Sequence, residues 1–338
     1  MARITIADIA KAAGVSTGAV SYALNDRPGV SDATRARILA IAADLGWAPS
    51  SAARSLSGAR TETVGLVLAR DPATLGVESF YMQFLAGIES ELSQRSYALL
   101  LQVVPDQATE MRTYRAWRAA RRVDGVILVD PSVDDPRIAM FSEPEALPAV
   151  VVGDPGLAGG LTSVWTDDAA AIRESVRYLH AVGHRRIARI AGLEGFGHTG
   201  IRDDAFRDEV AVWGAEGLVV RTDYSAIQGA VATRTLLTSA APPTAIIYDN
   251  DVMAVAGLGV ASEIGVRVPQ EVSMIAWDDS PLCEATYPRL SALSHDVTRY
   301  GAHVARRLFD RMAGQTGGSY LDSTPALRPR GTTTHAPS

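Results

Sequence analysis

The chain has 338 residues, 47% of them hydrophobic and 21% charged, which is enough for two or three domains with real cores. No apolar run approaches the ~18 residues of a membrane span, the opening MARITIADIAKAAG lacks the long apolar stretch of a secretory signal, and a single cysteine excludes an intrachain disulfide or a cysteine-rich zinc site; a cytoplasmic protein is expected, with Cys283 an inert thiol. The net charge of −6 hides an asymmetry: in residues 1–60 seven Lys or Arg oppose four Asp, a surplus of +3 that leaves −9 on the remainder, as expected of a small basic head that meets a polyanion and an acidic body that does not.

In chain order, Ile6, Ile9, Ala10 and Ala13 have helical spacing, Thr5 is placed to cap them, and Gly14 to end them. Ser16 then caps a second helix from Thr17 to about Leu24, with Val20 and Leu24 facing inward. The segment G-V-S-T-G, Gly14 to Gly18, also matches the nucleophile elbow of serine hydrolases. That elbow needs a strand before the serine, whereas the preceding segment has a helical period, so the segment reads as the turn of a helix-turn-helix. A third helix follows, capped by Ser31, with Ile38, Ile41, Ala42 and Leu45 as its stripe and Gly46 and Pro49 as its stop. The stretch SSAARSLSG, Ser50 to Gly58, has a cap, about seven helical residues and a terminal glycine; a helix so short forms only against a partner.

This N-terminal stretch, TIADIAKAAGVSTGAVSYALNDRPGVSDATRARILAIAADLGWAPSSAARSLSG, resembles the DNA-binding headpiece and hinge of the LacI/GalR family of bacterial transcription regulators, and the resemblance continues to RVPQEVSMIAWDDSP near the far end. It implies a headpiece over residues 1–48, a hinge helix and linker over 49–60, and an effector-binding and dimerisation body over 61–338. By the resemblance the second helix enters the major groove with Thr17, Gly18 and Tyr22 toward the bases, while Thr5, Ser16, Ser21, Asn25, Ser31 and Thr34 hold phosphates. Ala53, Arg54 and the wedge Leu56 would enter the minor groove. Many relatives carry arginine where this chain has Tyr22, and Gly18 has no side chain, so bidentate arginine–guanine readout is absent at both positions.

From Thr63 the pattern changes to buried strands alternating with helices: VGLVLA, YALLLQVV, GVILVD and PAVVVGD in one block, RIARIAG, GLVVR, TAIIYDN and VSMIAW in another. Two blocks of βα units predict two parallel-sheet subdomains with a ligand cleft at the strand carboxyl ends. The resemblance implies the same, a periplasmic-binding-protein-like body, with one subdomain over about 61–155 plus 291–325 and the other over about 160–285, crossings near Gly153–Thr162 and Trp277–Ser291, and a last helix over about Asp296–Met312.

Gly195, Gly197 and Gly200 form G-x-G-x-x-G between a strand and a helix, with Asp223 where an acid would hold a ribose; outside the first βαβ unit of a dinucleotide domain the motif is weak. The resemblance instead assigns Arg202 on that helix to the effector, with Phe206 at its aromatic position, and adds Asp278, Asn250, Tyr224, Phe80 and Tyr81 to the same cleft. Gly153 stands where many relatives have aspartate, with Asp154 as the substitute. His180 and His184 have the i, i+4 spacing of metal ligands but sit at a frayed, arginine-flanked helix end, and Arg112, Arg115, Arg118 and Arg122 read as a solvated stripe. No cofactor or metal is expected, and no enzyme activity. The partners expected are double-stranded operator DNA, a small-molecule effector (a sugar or sugar derivative) and a second copy of the chain, with no leucine heptad in the tail for a higher assembly. A solute-binding transport protein of the same body fold is the alternative.

Overall fold

The computed structural model describes residues 4–47, 60–70, 72 and 78–337. The chain divides into two compact units, Met1–Thr61 and Glu62–Ser338. Among the described residues no helix is long and apolar enough to cross a membrane.

In the first unit, helix α1 (Ile6–Ala13) opens on a capping box: the Asp8 amide donates to the Thr5 hydroxyl and the Thr5 amide to the Asp8 carboxylate at 2.8 Å. Gly14, at φ +65°, supplies the left-handed turn after it. Helix α2 (Thr17–Leu24) is capped by the Ser16 hydroxyl, which accepts from the Ala19 amide at 3.1 Å, and α3 (Asp32–Asp44) by Ser31. Their core is Ile9, Ala10, Ala13, Val20, Ala23, Ile38 and Ala42. Ala23, rather than Leu24, is the fully buried partner of Val20, and Leu45 stays 38% exposed because α3 ends at Asp44.

The second unit contains β1 (Thr63–Ala69), α4 (Ser79–Ser93), β2 (Ala98–Val104), α5 (Gln107–Ala119), β3 (Gly125–Leu128), α6 (Pro136–Phe141), β4 (Ala149–Val152) and β5 (Thr162–Thr166). Next come α7 (Asp168–Ala181), β6 (Arg186–Ala191), α8 (Gly197–Val212), β7 (Glu216–Arg221), α9 (Ala226–Leu237), β8 (Ala245–Tyr248), α10 (Asp251–Glu263) and β9 (Ser273–Trp277). The chain closes with α11 (Pro281–Ala285), β10 (Ser291–Ser294), α12 (Val297–Met312), β11 (Ser319–Ser323) and β12 (Ala326–Arg328). Two sheets result, β11-β5-β4-β3-β1-β2 and β12-β10-β9-β8-β6-β7, parallel throughout except for β12. Every residue of β3, β4, β8 and β9 is buried, because helices cover both faces of each sheet.

Both crossings lie later than the sequence suggests. The Gly-rich stretch after β4 does not leave the first subdomain; a 3₁₀ turn at Pro155–Leu157 folds it back so that β5 pairs with β4. The chain changes sheet only after Thr166, and β10 still belongs to the second sheet, so the return comes at α12. A third crossing carries the chain from β11 to β12. In the first subdomain α4 and α12 touch backbone to backbone: a Cβ on Gly87 would lie 1.9 Å from the Thr298 carbonyl oxygen, and one on Gly301 2.1 Å from that of Phe84. Glycine is what allows this crossing.

Candidate functional site

Two surfaces collect the functional candidates, one in each unit. In the first unit Thr5, Ser16 and Ser31 occupy the N-caps of the three helices, where orphan backbone amides and the helix dipole favour phosphate. Thr17, Gly18, Tyr22 and Asn25 are exposed on or at the end of α2, and Ser21 and Thr34 are half-buried. The Asn25 side chain donates to the Ser21 carbonyl at 2.8 Å, and Thr34 hydrogen-bonds the Ser31 hydroxyl at 2.9 Å. Tyr22 keeps 45% exposure, and its ring lies over Gly29, where a Cβ would meet it at 3.1 Å. Arg35, not singled out by the sequence, ties α3 to the end of α2: its guanidinium donates to the carbonyls of Tyr22, Ala23 and Arg27 and pairs with Asp26. Ala53, Arg54 and Leu56 lie outside the described residues.

In the second unit a cavity of about 140 Å³ opens between the two sheets, at their strand carboxyl ends. Phe80, Tyr81, Asp154, Arg202, Tyr224, Asn250 and Asp278 all line it. Arg202 on α8 donates from Nε to Asp168 at 2.8 Å and lies 3.5 Å from the centroid of the Trp277 ring. Asn250 caps α10 through the Met253 amide and donates from Nδ2 to the Tyr224 carbonyl at 3.0 Å. The Tyr224 hydroxyl meets His198 at 2.8 Å and Thr199 at 3.0 Å. Tyr81 donates to Asp130 at 2.6 Å. Asp154 accepts from the Gly156 amide at 2.8 Å. At Gly153 a Cβ would lie 2.7 Å from the Pro131 ring, so this backbone leaves no room for a side chain there. Asp278 follows β9 with φ +66°, and its Oδ1 is buried without a hydrogen-bond partner among the described residues.

Sequence reading missed several cavity residues: Arg70, Glu78, Asp130, His198 and Trp277. Arg70 donates to Asp130 and stacks 4.5 Å from the Phe196 ring centroid. Arg70 and Asp130 each follow close on a buried strand, β1 or β3, and that position was the available signal. Burial pushes the Glu78 carboxyl up to about 7 and the His198 imidazole down to about 4. Burial, with Asp251 nearby, raises the Asp278 carboxyl well above its usual range. Burial also opposes ionisation of Asp130, but Arg70, His198 and the Tyr81 hydroxyl outweigh it and hold that carboxyl low.

Other motifs serve packing. A Cβ on Gly197 would lie 2.2 Å from Leu157 and 2.8 Å from the Pro131 carbonyl, so this glycine permits close approach of the subdomains. Asp223 is exposed and accepts from the Ser225 amide at 2.9 Å, and Phe206 lies in the core. His184 is fully buried among Thr244, Ser273 and the Thr334 carbonyl, while His180 stacks on Trp213. Cys283 is a buried free thiol.

Residues 5–50 match the family model described as bacterial regulatory proteins, lacI family, and residues 176–333 match the periplasmic binding protein-like domain. The transcriptional regulator CelR of Thermobifida fusca is 33% identical over 319 residues, covering 93% of each chain. The transcriptional repressor PurR of Serratia proteamaculans is 30% identical over 312 residues, covering 91% of this chain and 90% of that one. Among solved structures, the lac repressor dimer bound to operator and the anti-inducer ONPF has a TM-score of 0.86 at 26% identity, and a CelR–cellobiose complex has 0.73 at 29%; each alignment covers 98% of this chain and 100% of the other. The chain belongs to the LacI family of bacterial regulatory proteins and is a transcriptional regulator with a helix-turn-helix headpiece and a two-subdomain α/β body.

Proposed function

We propose that the protein is a homodimeric repressor acting in the cytoplasm, which binds operator DNA through two headpieces and is controlled by a sugar or sugar derivative held in the body cleft. The observation that carries this reading is that all seven side chains assigned to the effector line one cavity between the subdomains. Arg202, Asn250 and Asp278 offer donors and acceptors for hydroxyl groups, and Phe80, Tyr81 and Tyr224 offer ring faces. The CelR relative solved with cellobiose supports a sugar.

On the DNA side, Thr17 and Tyr22 read base edges, and the three N-cap hydroxyls at Thr5, Ser16 and Ser31 hold phosphates with Ser21, Asn25 and Thr34. Gly18 lets the backbone of α2 approach the groove. Leu56, flanked by Ala53 and Arg54, wedges a central base step. The effector acts by binding two arrangements of the subdomains with unequal affinity, which links cleft occupancy to operator affinity.

A gel-shift titration against the DNA upstream of the protein's own gene tests the reading. Specific binding at moderate salt, lost in Leu56→Ala with an unchanged circular dichroism spectrum, is expected. Absence of specific binding by a folded dimer would overturn the repressor, and unchanged affinity in Leu56→Ala would overturn the wedge.

A further inference from the structure

The cavity is strongly acidic. Eight Asp or Glu and two Arg line it among the described residues. Both arginines are already committed, Arg70 to Asp130 and Arg202 to Asp168, and Asp249 is held from behind by Arg189. Asp154 and Asp167 are half-buried, and each accepts from a backbone amide, of Gly156 and Ala170. Glu78, Asp251 and Asp278 remain, and none makes an ion pair among the described residues. Asp251 is satisfied in hydrogen bonding by the Ser280 hydroxyl and the Val252 amide. Among the described residues Glu78 has one long hydrogen bond, from Asn250 Nδ2 at 3.4 Å, and Asp278 Oδ1 has none.

Burial holds the Glu78 and Asp278 carboxyls toward the protonated form; to ionise, a buried carboxyl needs both donors and a compensating charge. A neutral polyol supplies donors only. A sugar phosphate or sugar acid adds charge of the wrong sign to a cleft that already holds an excess of it. An ammonium group supplies three donors when primary, or two when secondary, together with the missing charge. We propose that the cleft ligand is a polyhydroxylated organic cation, an amino or imino sugar, whose ammonium group is taken up by Asp278 of the second subdomain and Glu78 of the first. The inference rests on the effector reading of the cleft and narrows it. The two carboxyls are also electrostatically coupled, since Glu78 is among the groups that raise Asp278.

The test is a thermal-shift screen of the full-length protein at about 10 mM ligand, where a true ligand raises Tm by mass action. The probes are matched trios: glucose, galactose and mannose, their 2-amino-2-deoxy counterparts, and their 6-phosphates, with 1-deoxynojirimycin and its galacto and manno isomers added. The largest rise is expected from an amine-bearing member, weakening with added salt. Its affinity, followed by calorimetry, should fall about tenfold or more in Asp278→Asn and in Glu78→Gln, each checked for folding by circular dichroism. A neutral member shifting Tm as much as its amine overturns the proposal and leaves the sugar-effector reading standing. A protein that binds operator but shifts with no amine overturns it as well. Equal amine affinity in a folded Glu78→Gln and the unaltered protein removes the assigned carboxyl and with it the proposal.

Discussion

Replacing Arg189 by Met should be among the most damaging single changes in the body. Arg189 lies in the middle of β6 with no exposure. Its guanidinium grips Asp249 through three contacts of 2.6–3.0 Å and also pairs with Asp203 on α8. Asp249 is equally buried and accepts from the Gly192 amide at 2.9 Å. Methionine fills much of the volume but leaves Asp249 a buried anion that has lost its direct partner. Breaking such a pair from one side costs about 3–5 kcal/mol. At roughly 2 °C per kcal/mol for a body of this size, Tm should fall by about 6–10 °C. Urea unfolding followed by tryptophan fluorescence measures the same cost. The double variant Arg189→Met with Asp249→Asn removes both charges and keeps an acceptor for Gly192, while Asp203 retains Arg221 and Arg207; it should recover more than half of the loss. A single-variant cost below about 1 kcal/mol, or a double variant no more stable than the single, would refute the electrostatic argument.

Gly87→Ala should lower the urea midpoint by an amount equivalent to about 1–3 kcal/mol or more, since its Cβ would lie 1.9 Å from a backbone carbonyl oxygen. Gly259→Ala, on an exposed position of α10 with nothing within 4 Å, should instead raise it by about 0.5–1 kcal/mol. Tyr22→Ala should weaken operator binding about tenfold or more in a gel shift with the headpiece still folded, because the headpiece core does not include Tyr22; Tyr22→Phe isolates the hydroxyl. Glu78, pushed up to about 7 from 4.5, contributes stability that is complete below pH 4.5 and lost as pH rises through 7. Glu78→Gln, which mimics the protonated carboxyl, should match the unaltered protein below pH 4.5 and exceed it in Tm increasingly as pH rises through 7; a flat difference would contradict the raised carboxyl.

The headpiece was legible almost residue by residue because its determinants are local. Thr5, Ser16 and Ser31 cap within three residues of themselves, and Gly14 turns the chain by its own backbone freedom. The strands of the body were legible as apolar runs, but their sheet membership was not. The glycine-rich stretch after β4 reads as a linker, yet β5 returns to pair with β4 through long-range contacts that no local pattern encodes. The same limit applies at the cleft. The resemblance supplied Arg202, Asn250 and Asp278, but Glu78 and Arg189 matter through partners 172 and 60 residues away. Arg189 did leave a trace: in RIARIAG it stands between the apolar pairs Ile187-Ala188 and Ile190-Ala191, past the exposed Arg186 at the strand's start, and a charge inside a buried strand implies a buried counter-charge.

The contacts that bridge the cleft are also where a ligand would act. The subdomains touch through a β-bridge between Ser132 and Phe196 and through the Gly197 amide, which donates to the Pro131 carbonyl at 2.8 Å. His198 stands 4.0 Å from Asp130, and Asn250 reaches Glu78 at 3.4 Å. The first pair of contacts is backbone and lies outside the cavity lining, except that Phe196 backs the Arg70 guanidinium. The second pair uses side chains that face the cavity itself. On the reading proposed above, a ligand donating to Glu78 would replace the long Asn250 bond and leave one Nδ2 hydrogen for a ligand hydroxyl, the other staying on the Tyr224 carbonyl. It would thereby exchange a direct subdomain contact for two ligand-mediated ones. Occupancy and the angle between subdomains are then one equilibrium, and the ligand shifts it by the difference in its affinity for the two arrangements.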